Sequence, residues 1–210
     1  MPQSGTPLIL PEAGLPDATR RAEAIIPTPY GDFKMVAYAG DAEDYTPHLA
    51  LVHPDMDPAG EVLVRLHSEC ITGDLFGSKR CDCGEQLDRA LKLTAAARGV
   101  VVYLRQEGRG IGIINKLKAY QLQDQGMDTI EANLHLGLEV DARHYEVARG
   151  ILTDLGIHRI QLLTNNPEKV DAFGEGPIEV TERLPIIVAP SKQNRDYLHT
   201  KRVNMGHWLQ

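Results

Sequence analysis

The sequence predicts an α/β fold: a single domain with a mixed, partly parallel β-sheet, a β-rich first half and alternating strands and helices in the second half. Three observations point to it. Apolar and polar residues alternate with period two between residues 32 and 67, apolar stripes recur at helical spacing from Leu87 onward, and short apolar runs such as Val100 to Leu104 lie between those stripes.

Residues 1 to 24 carry Pro2, Pro7, Pro11 and Pro16 with two glycines and no sustained periodicity, which predicts a flexible N-terminal extension ahead of a domain spanning 25–210. Asp32 to Tyr38, Leu49 to His53 and Glu61 to His67 read as half-buried strands. Leu87, Ala90 and Leu91 mark a helix ending at Gly99, and Val100 to Leu104 follows as a buried strand. A helix from about Ile111 to Gln125 stops at Gly126. The stripe Val147, Ala148, Ile151, Leu152, Leu155 predicts another, stopped by Gly156 and followed by a strand over Arg159 to Leu163. Ile178 to Val180 and Ile186 to Val188 read as short strands, and Asn194 to Trp208 as a terminal helix.

At 210 residues and 42% hydrophobic content the chain can bury a core. No window reaches the roughly 18 to 20 apolar residues that span a bilayer, and the first 30 residues lack a basic stretch followed by an apolar one, so neither membrane nor export is expected. The net charge of −7 argues against a surface that tracks nucleic-acid phosphates. It leaves room for one small anion, because a few arginines in a cleft act within about a Debye length.

All three cysteines fall in Arg65-Leu66-His67-Ser68-Glu69-Cys70 and Ser78-Lys79-Arg80-Cys81-Asp82-Cys83-Gly84. An odd number, two of them flanking a single residue, suits free thiols in a reducing cytoplasm better than a disulfide. Thiolates are good zinc ligands, and two kinds of site fit: a structural one closed by His67 or another fourth ligand, or a catalytic one whose fourth position takes water. Three thiolates leave zinc a weak Lewis acid, so the catalytic reading needs a nearby base or proton donor.

The two cysteine segments, together with Arg105-Gln106-Glu107-Gly108-Arg109, Gln123-Asp124-Gln125-Gly126 and Leu163-Thr164-Asn165-Asn166-Pro167, resemble the motifs of GTP cyclohydrolase II in its order. The similarity runs through Tyr197-Leu198 and Met205-Gly206-His207, over residues 27 to 208. It implies hydrolysis of GTP at C8 of guanine, releasing formate and diphosphate and leaving a diaminopyrimidine ribose phosphate, the first step of riboflavin synthesis, in the single-activity form of the enzyme. It further implies Zn²⁺ on Cys70, Cys81 and Cys83 activating water toward C8, Mg²⁺ accompanying the phosphates, and a homodimer.

The resemblance names Asp141 as general base, Arg143 as the nucleophile toward the α-phosphate and Tyr120 as a third catalytic residue. It puts Arg65, Leu66, His67, Ser68, Glu69, Gln86, Glu107, Gly108, Arg109, Thr129, Thr164 and Lys169 in the GTP site. Residue chemistry qualifies three of these. A guanidinium is a poor nucleophile at neutral pH, and its planar fork suits Arg143 to binding phosphate. Asp141 stands where an N-cap for the Val147 to Leu155 helix is expected. Glu107 is expected to accept the N1 and N2 hydrogens of guanine. Gly110 stands where some relatives have asparagine, and Gly108, Gly110 and Gly112 do not match a dinucleotide fingerprint.

Overall fold

The computed structural model describes residues 19–139, 141–204 and 206–209. Seven strands form one sheet in the order β1-β2-β3-β5-β4-β6-β7. β1 (Thr19–Thr28), β2 (Gly31–Ala39) and β3 (His48–Val52) run antiparallel to their neighbours, and β3 joins β5 (Val100–Leu104) in the same sense. β5, β4 (Glu61–Ser68), β6 (Arg159–Leu163) and β7 (Glu179–Leu184) are parallel. The chain leaves β4 for β5 on one side and later returns to β6 on the other, so strand order reverses at β4. Open α/β sheets bind ligands at the carboxyl end of the strands around such a point.

The helices are α1 (Ile71–Asp74), α2 (Cys83–Ala96), α3 (Gly112–Gln123), α4 (Thr129–His135), α5 (Glu146–Asp154), α6 (Pro167–Asp171) and α7 (Arg195–Asn204). Side chains of β4 alternate between two cores. Val62, Val64 and Leu66 join Ala148, Ile151 and Leu152 of α5 in the larger one, whereas Leu63 packs with Ala90 of α2, Leu163 and Ile186. Arg65 and His67 share the parity of Leu63 and therefore face the α2 side. Among the described residues no helix is long and apolar enough to cross a membrane.

The fold class is the predicted one, with three corrections. The extension expected to run to residue 24 gives way at Thr19 to β1, which pairs with β2 through Thr28↔Gly31; residues 1–18 lie outside the described residues. β1 is exposed along nearly its whole length, so it carries no buried alternation for a sequence reading to detect. No strand forms at 186–188. The Ile186 backbone instead bonds the Asn165 amide at both ends, N–H to Oδ1 at 2.9 Å and carbonyl from Nδ2 at 2.8 Å, which replaces a ladder. Asp141 is not a cap: α5 begins after Tyr145. The helices α1, α4 and α6 were not predicted, although Asp128 and Glu131 form a capping box on α4 and Asn166 caps α6 ahead of Pro167.

Candidate active site

A cleft of about 1070 Å³, its solvent-open mouth included, lies at the carboxyl end of β4 and β6. That is room for a nucleotide-sized ligand. The three cysteines line the cleft. Their sulfurs all lie within 4.8 Å of one another, with Cys70 and Cys81 sulfurs 3.6 Å apart. Tetrahedral zinc with bonds of about 2.3 Å needs sulfurs roughly 3.8 Å apart, so the donor set fits zinc. Its charge fits as well. Without a cation a single thiolate is favoured: Cys70 is held far below the usual thiol range by hydrogen bonds from Cys81 and Cys83, while the bond to Cys70 pushes Cys81 up to about 11 and Cys83 well up. A dication resolves that conflict.

The cluster forms because two turns approach closely. A Cβ on Gly73 would lie 2.9 Å from the Cys81 sulfur and 3.2 Å from that of Cys70, so only glycine fits beneath the three thiols. Asp74 fixes the first turn, accepting from Cys70 N–H at 2.9 Å, the Tyr103 hydroxyl at 2.9 Å and His67 Nε2 at 3.0 Å. With Nε2 bound to Asp74, the His67 Nδ1 is left buried and without a partner. His67 is therefore held by Asp74, not by the sulfurs.

α3 runs past the cluster. Lys116 Nζ lies 3.1 Å from the Cys70 sulfur and 2.8 Å from Glu107 Oε1. Tyr120, one turn on, lines the cleft beside the Arg80 guanidinium, 4.8 Å from its ring. Burial pushes its phenol up to about 12, so it keeps its proton at neutral pH and can donate it. The Glu69 carboxyl also lines the cleft, raised by burial and paired with Arg105 at 2.8 Å.

The cleft is also cationic. Arg65 is held by the Leu163 carbonyl at 3.0 Å and Gln86 Oε1 at 2.8 Å, and Lys169 by the Leu66 carbonyl at 2.8 Å. The Arg109 terminal nitrogens are buried with no partner. Among the described residues these three cations have no carboxylate at ion-pair distance. Burial, then repulsion from Arg65, Arg143 and Lys201, holds the Lys169 ammonium well below its usual value, a strain that a bound anion relieves. Arg109 projects from a turn with successive positive φ at Gly108, Arg109 and Gly110 (62°, 63° and 89°). A Cβ at Gly110 would meet the Ala142 carbonyl at 2.7 Å, and Ala142 N–H bonds the Arg109 carbonyl at 3.0 Å. This contact brings Arg109 and Arg143 to one wall.

Arg143 lines the cleft and is gripped by Asp141, its Nε donating to Oδ1 at 2.7 Å and its NH2 to Oδ2. Burial alone would raise the Asp141 carboxyl, but Arg143 outweighs it and holds it low, which makes a weak base. The same pair keeps the guanidinium fully protonated, against burial.

Of the residues expected in the site, Arg65, His67, Ser68, Glu69, Gln86, Gly108, Arg109, Tyr120, Thr129, Arg143, Thr164 and Lys169 line the cleft together with the cysteines. Leu66 does not, because strand parity sends it into the core and only its carbonyl reaches Lys169. Glu107 does not line it either. Its oxygens are committed to Lys116, to Gly108 N–H at 2.7 Å and to Ile71 N–H at 2.5 Å, so it braces the first cysteine turn. Lys116, Lys201 and His207 line the cleft unforeseen. Lys116 was findable one helical turn before Tyr120; the other two arrive through long-range packing.

His207 is half-buried beside Lys201, Arg143, Lys169 and Arg109, and desolvation followed by those cations lowers its pKa to about 3. The unfolded chain therefore takes up a proton near pH 6.5 that the folded one refuses, so stability falls as pH drops from about 6.5 toward 3, by up to about 1.4 kcal/mol per unit. Thermal unfolding at pH 7 and pH 5 reads this, and His207→Gln is expected to shrink the difference.

The GTP cyclohydrolase II family model matches residues 19–185. The chain is 51% identical over 191 residues to GTP cyclohydrolase-2 of Neisseria meningitidis, covering 90% of this chain and 95% of that one. It is 54% identical over 190 residues to the riboflavin biosynthesis protein RibBA of Salinispora tropica and 50% identical over 191 to that of Chlorobium phaeovibrioides, in each case over 90% of this chain. It spans about half the length of those RibBA relatives, 47% and 46%.

Proposed function

Because the chain belongs to the GTP cyclohydrolase II family, we propose that it hydrolyses GTP at C8 of guanine, releasing formate and diphosphate and leaving 2,5-diamino-6-(5-phosphoribosylamino)pyrimidin-4(3H)-one. The observation that carries this reading is one cleft lined both by a three-thiol cluster and by three cations, Arg65, Arg109 and Lys169, for which the described residues offer no carboxylate partner. A nucleoside triphosphate has the matching polarity: an electron-poor ring carbon and a polyanionic tail.

Cys70, Cys81 and Cys83 would hold zinc, which supplies Lewis acidity and a nucleophilic water at neutral pH. Tyr120 donates a proton to the opening ring, since its phenol stays protonated and interacts with the Cys70 and Cys81 thiols. His67, oriented by Asp74, offers its free Nδ1 as an acceptor to a substrate N–H or O–H. Arg143, pre-set by Asp141, clamps the α-phosphate as charge builds on it, and Mg²⁺ travels with the leaving diphosphate. The free thiols suit a reducing cytoplasm.

Incubation of the zinc-loaded protein with GTP and Mg²⁺ is expected to give formate, diphosphate and pyrimidine in equal amounts. Diphosphate and an opened ring without formate would point to a formyl-retaining enzyme, and tight RNA or DNA binding without GTP turnover to a different class of protein. Glu107→Gln is expected to weaken GTP and ITP equally, because Glu107 braces Lys116 and Ile71; a loss confined to GTP, measured by KM for both nucleotides, would return it to the guanine edge.

A further inference from the structure

α7 and residues 206–209 lie beyond the part of the chain that the family model matches, yet they form one side of the cleft. The segment is firmly docked. Lys201 Nζ pairs with Asp82 Oδ1 at 3.0 Å, and Asp82 continues through Gln86 to Arg65. Trp208 N–H bonds the Asn165 carbonyl at 2.9 Å, and the Arg183 guanidinium lies 5.1 Å from the Trp208 ring. This docking presents Tyr197 to the cleft between two cations, its ring centre 4.5 Å from Lys201 Nζ and 5.8 Å from the Arg109 guanidinium carbon.

Arg109 is the cation that most needs such help. Its terminal nitrogens have no protein partner, so no hydrogen bond fixes the direction of its fork, and its backbone leaves a turn of left-handed residues. We propose that Tyr197 is a positioning residue: its ring holds the Arg109 fork open toward the cleft, so that the C-terminal segment completes the binding site for the phosphate tail. This rests on reading the cleft as a nucleotide site and assigns Tyr197 no contact with the reacting atoms. A face-on ring holds a guanidinium without using its N–H donors, which stay available to phosphate oxygens.

The test is calorimetric titration of the zinc-loaded full chain with inorganic tripolyphosphate and, separately, with guanosine. Tyr197→Leu is expected to weaken tripolyphosphate about tenfold, the scale of a desolvated cation–π contact, and to leave guanosine unchanged. Tyr197→Phe, which keeps the ring, should stay within about twofold of the parent. In an Arg109→Gln background Tyr197→Leu should cost nothing further, a coupling that general loss of folding cannot produce. Unchanged tripolyphosphate binding in Tyr197→Leu, an equal loss in Tyr197→Phe, additive losses in the double variant, or a parent that does not bind tripolyphosphate would each overturn the assignment. Absence of any GTP turnover alongside the expected tripolyphosphate pattern would sink the cyclohydrolase reading and leave Tyr197 in place.

Discussion

Replacing Cys81 with serine is expected to lower formate release from GTP by at least about 10²-fold, the scale on which removal of one catalytic electrostatic partner acts, and to leave the purified protein without stoichiometric zinc. The Cys81 sulfur is 3.6 Å from that of Cys70 and directly over Gly73, so the shorter and less ionisable serine oxygen neither reaches the shared position nor carries the charge a dication needs. Diphosphate release is expected to survive in part. Arg109, Arg143 and Lys169 are carried by the 107–112 turn, the 141–145 segment and α6, not by the two cysteine turns. Metal content by elemental analysis, read with both products, decides the outcome. Undiminished formate from metal-free protein would exclude the cluster from ring opening, and joint loss of both products in a folded variant would show that the two hydrolyses cannot be separated this way.

Arg143→Lys should cut diphosphate release about 10²-fold while zinc content stays unchanged, since a lysine keeps the positive charge beside Asp141 but loses the fork, and a misplacement of about 1 Å at a reacting group costs that much. Asp141 grips Arg143 through Nε and NH2 on one edge, which fixes the plane of the guanidinium and turns its remaining donors to the cleft. A lysine ammonium has no plane to fix. The same grip keeps Arg143 protonated, so intact-mass measurement during turnover is expected to find no arginine carrying the nucleoside monophosphate. A trapped covalent adduct on Arg143 would refute the clamp and make this residue the nucleophile. Asp141→Asn, which keeps one acceptor, should fall between the parent and Arg143→Lys; a larger loss than Arg143→Lys would restore Asp141 as a base.

Most of the central sheet and its large helices were readable from local pattern, because β4 to β6 and α5 bury one face or both and so carry strong apolar periodicity. β1 was missed for the converse reason, and the segment at 186–188 was mistaken for a strand because burial without a ladder leaves the same apolar signature. The three cysteines by themselves established a zinc-type donor set of undecided kind. Adding the arginine, tyrosine and Thr164-Asn165-Asn166 segments fixed the family and most of the residues around the cleft.

Tertiary structure alone decided how those residues divide their work. Strand parity removed Leu66 from the cleft; three hydrogen-bond donors claimed Glu107; α5 starting after Tyr145 freed Asp141 to hold Arg143. Lys201, Tyr197 and His207 entered from the end of the chain, more than 100 residues after the cysteine turn to which Lys201 is tied through Asp82. A sequence determines which side chains exist and the local period that folds them, whereas a hydrogen bond or ion pair between distant segments is settled only when packing spends each donor and acceptor on one partner and leaves the rest facing the ligand.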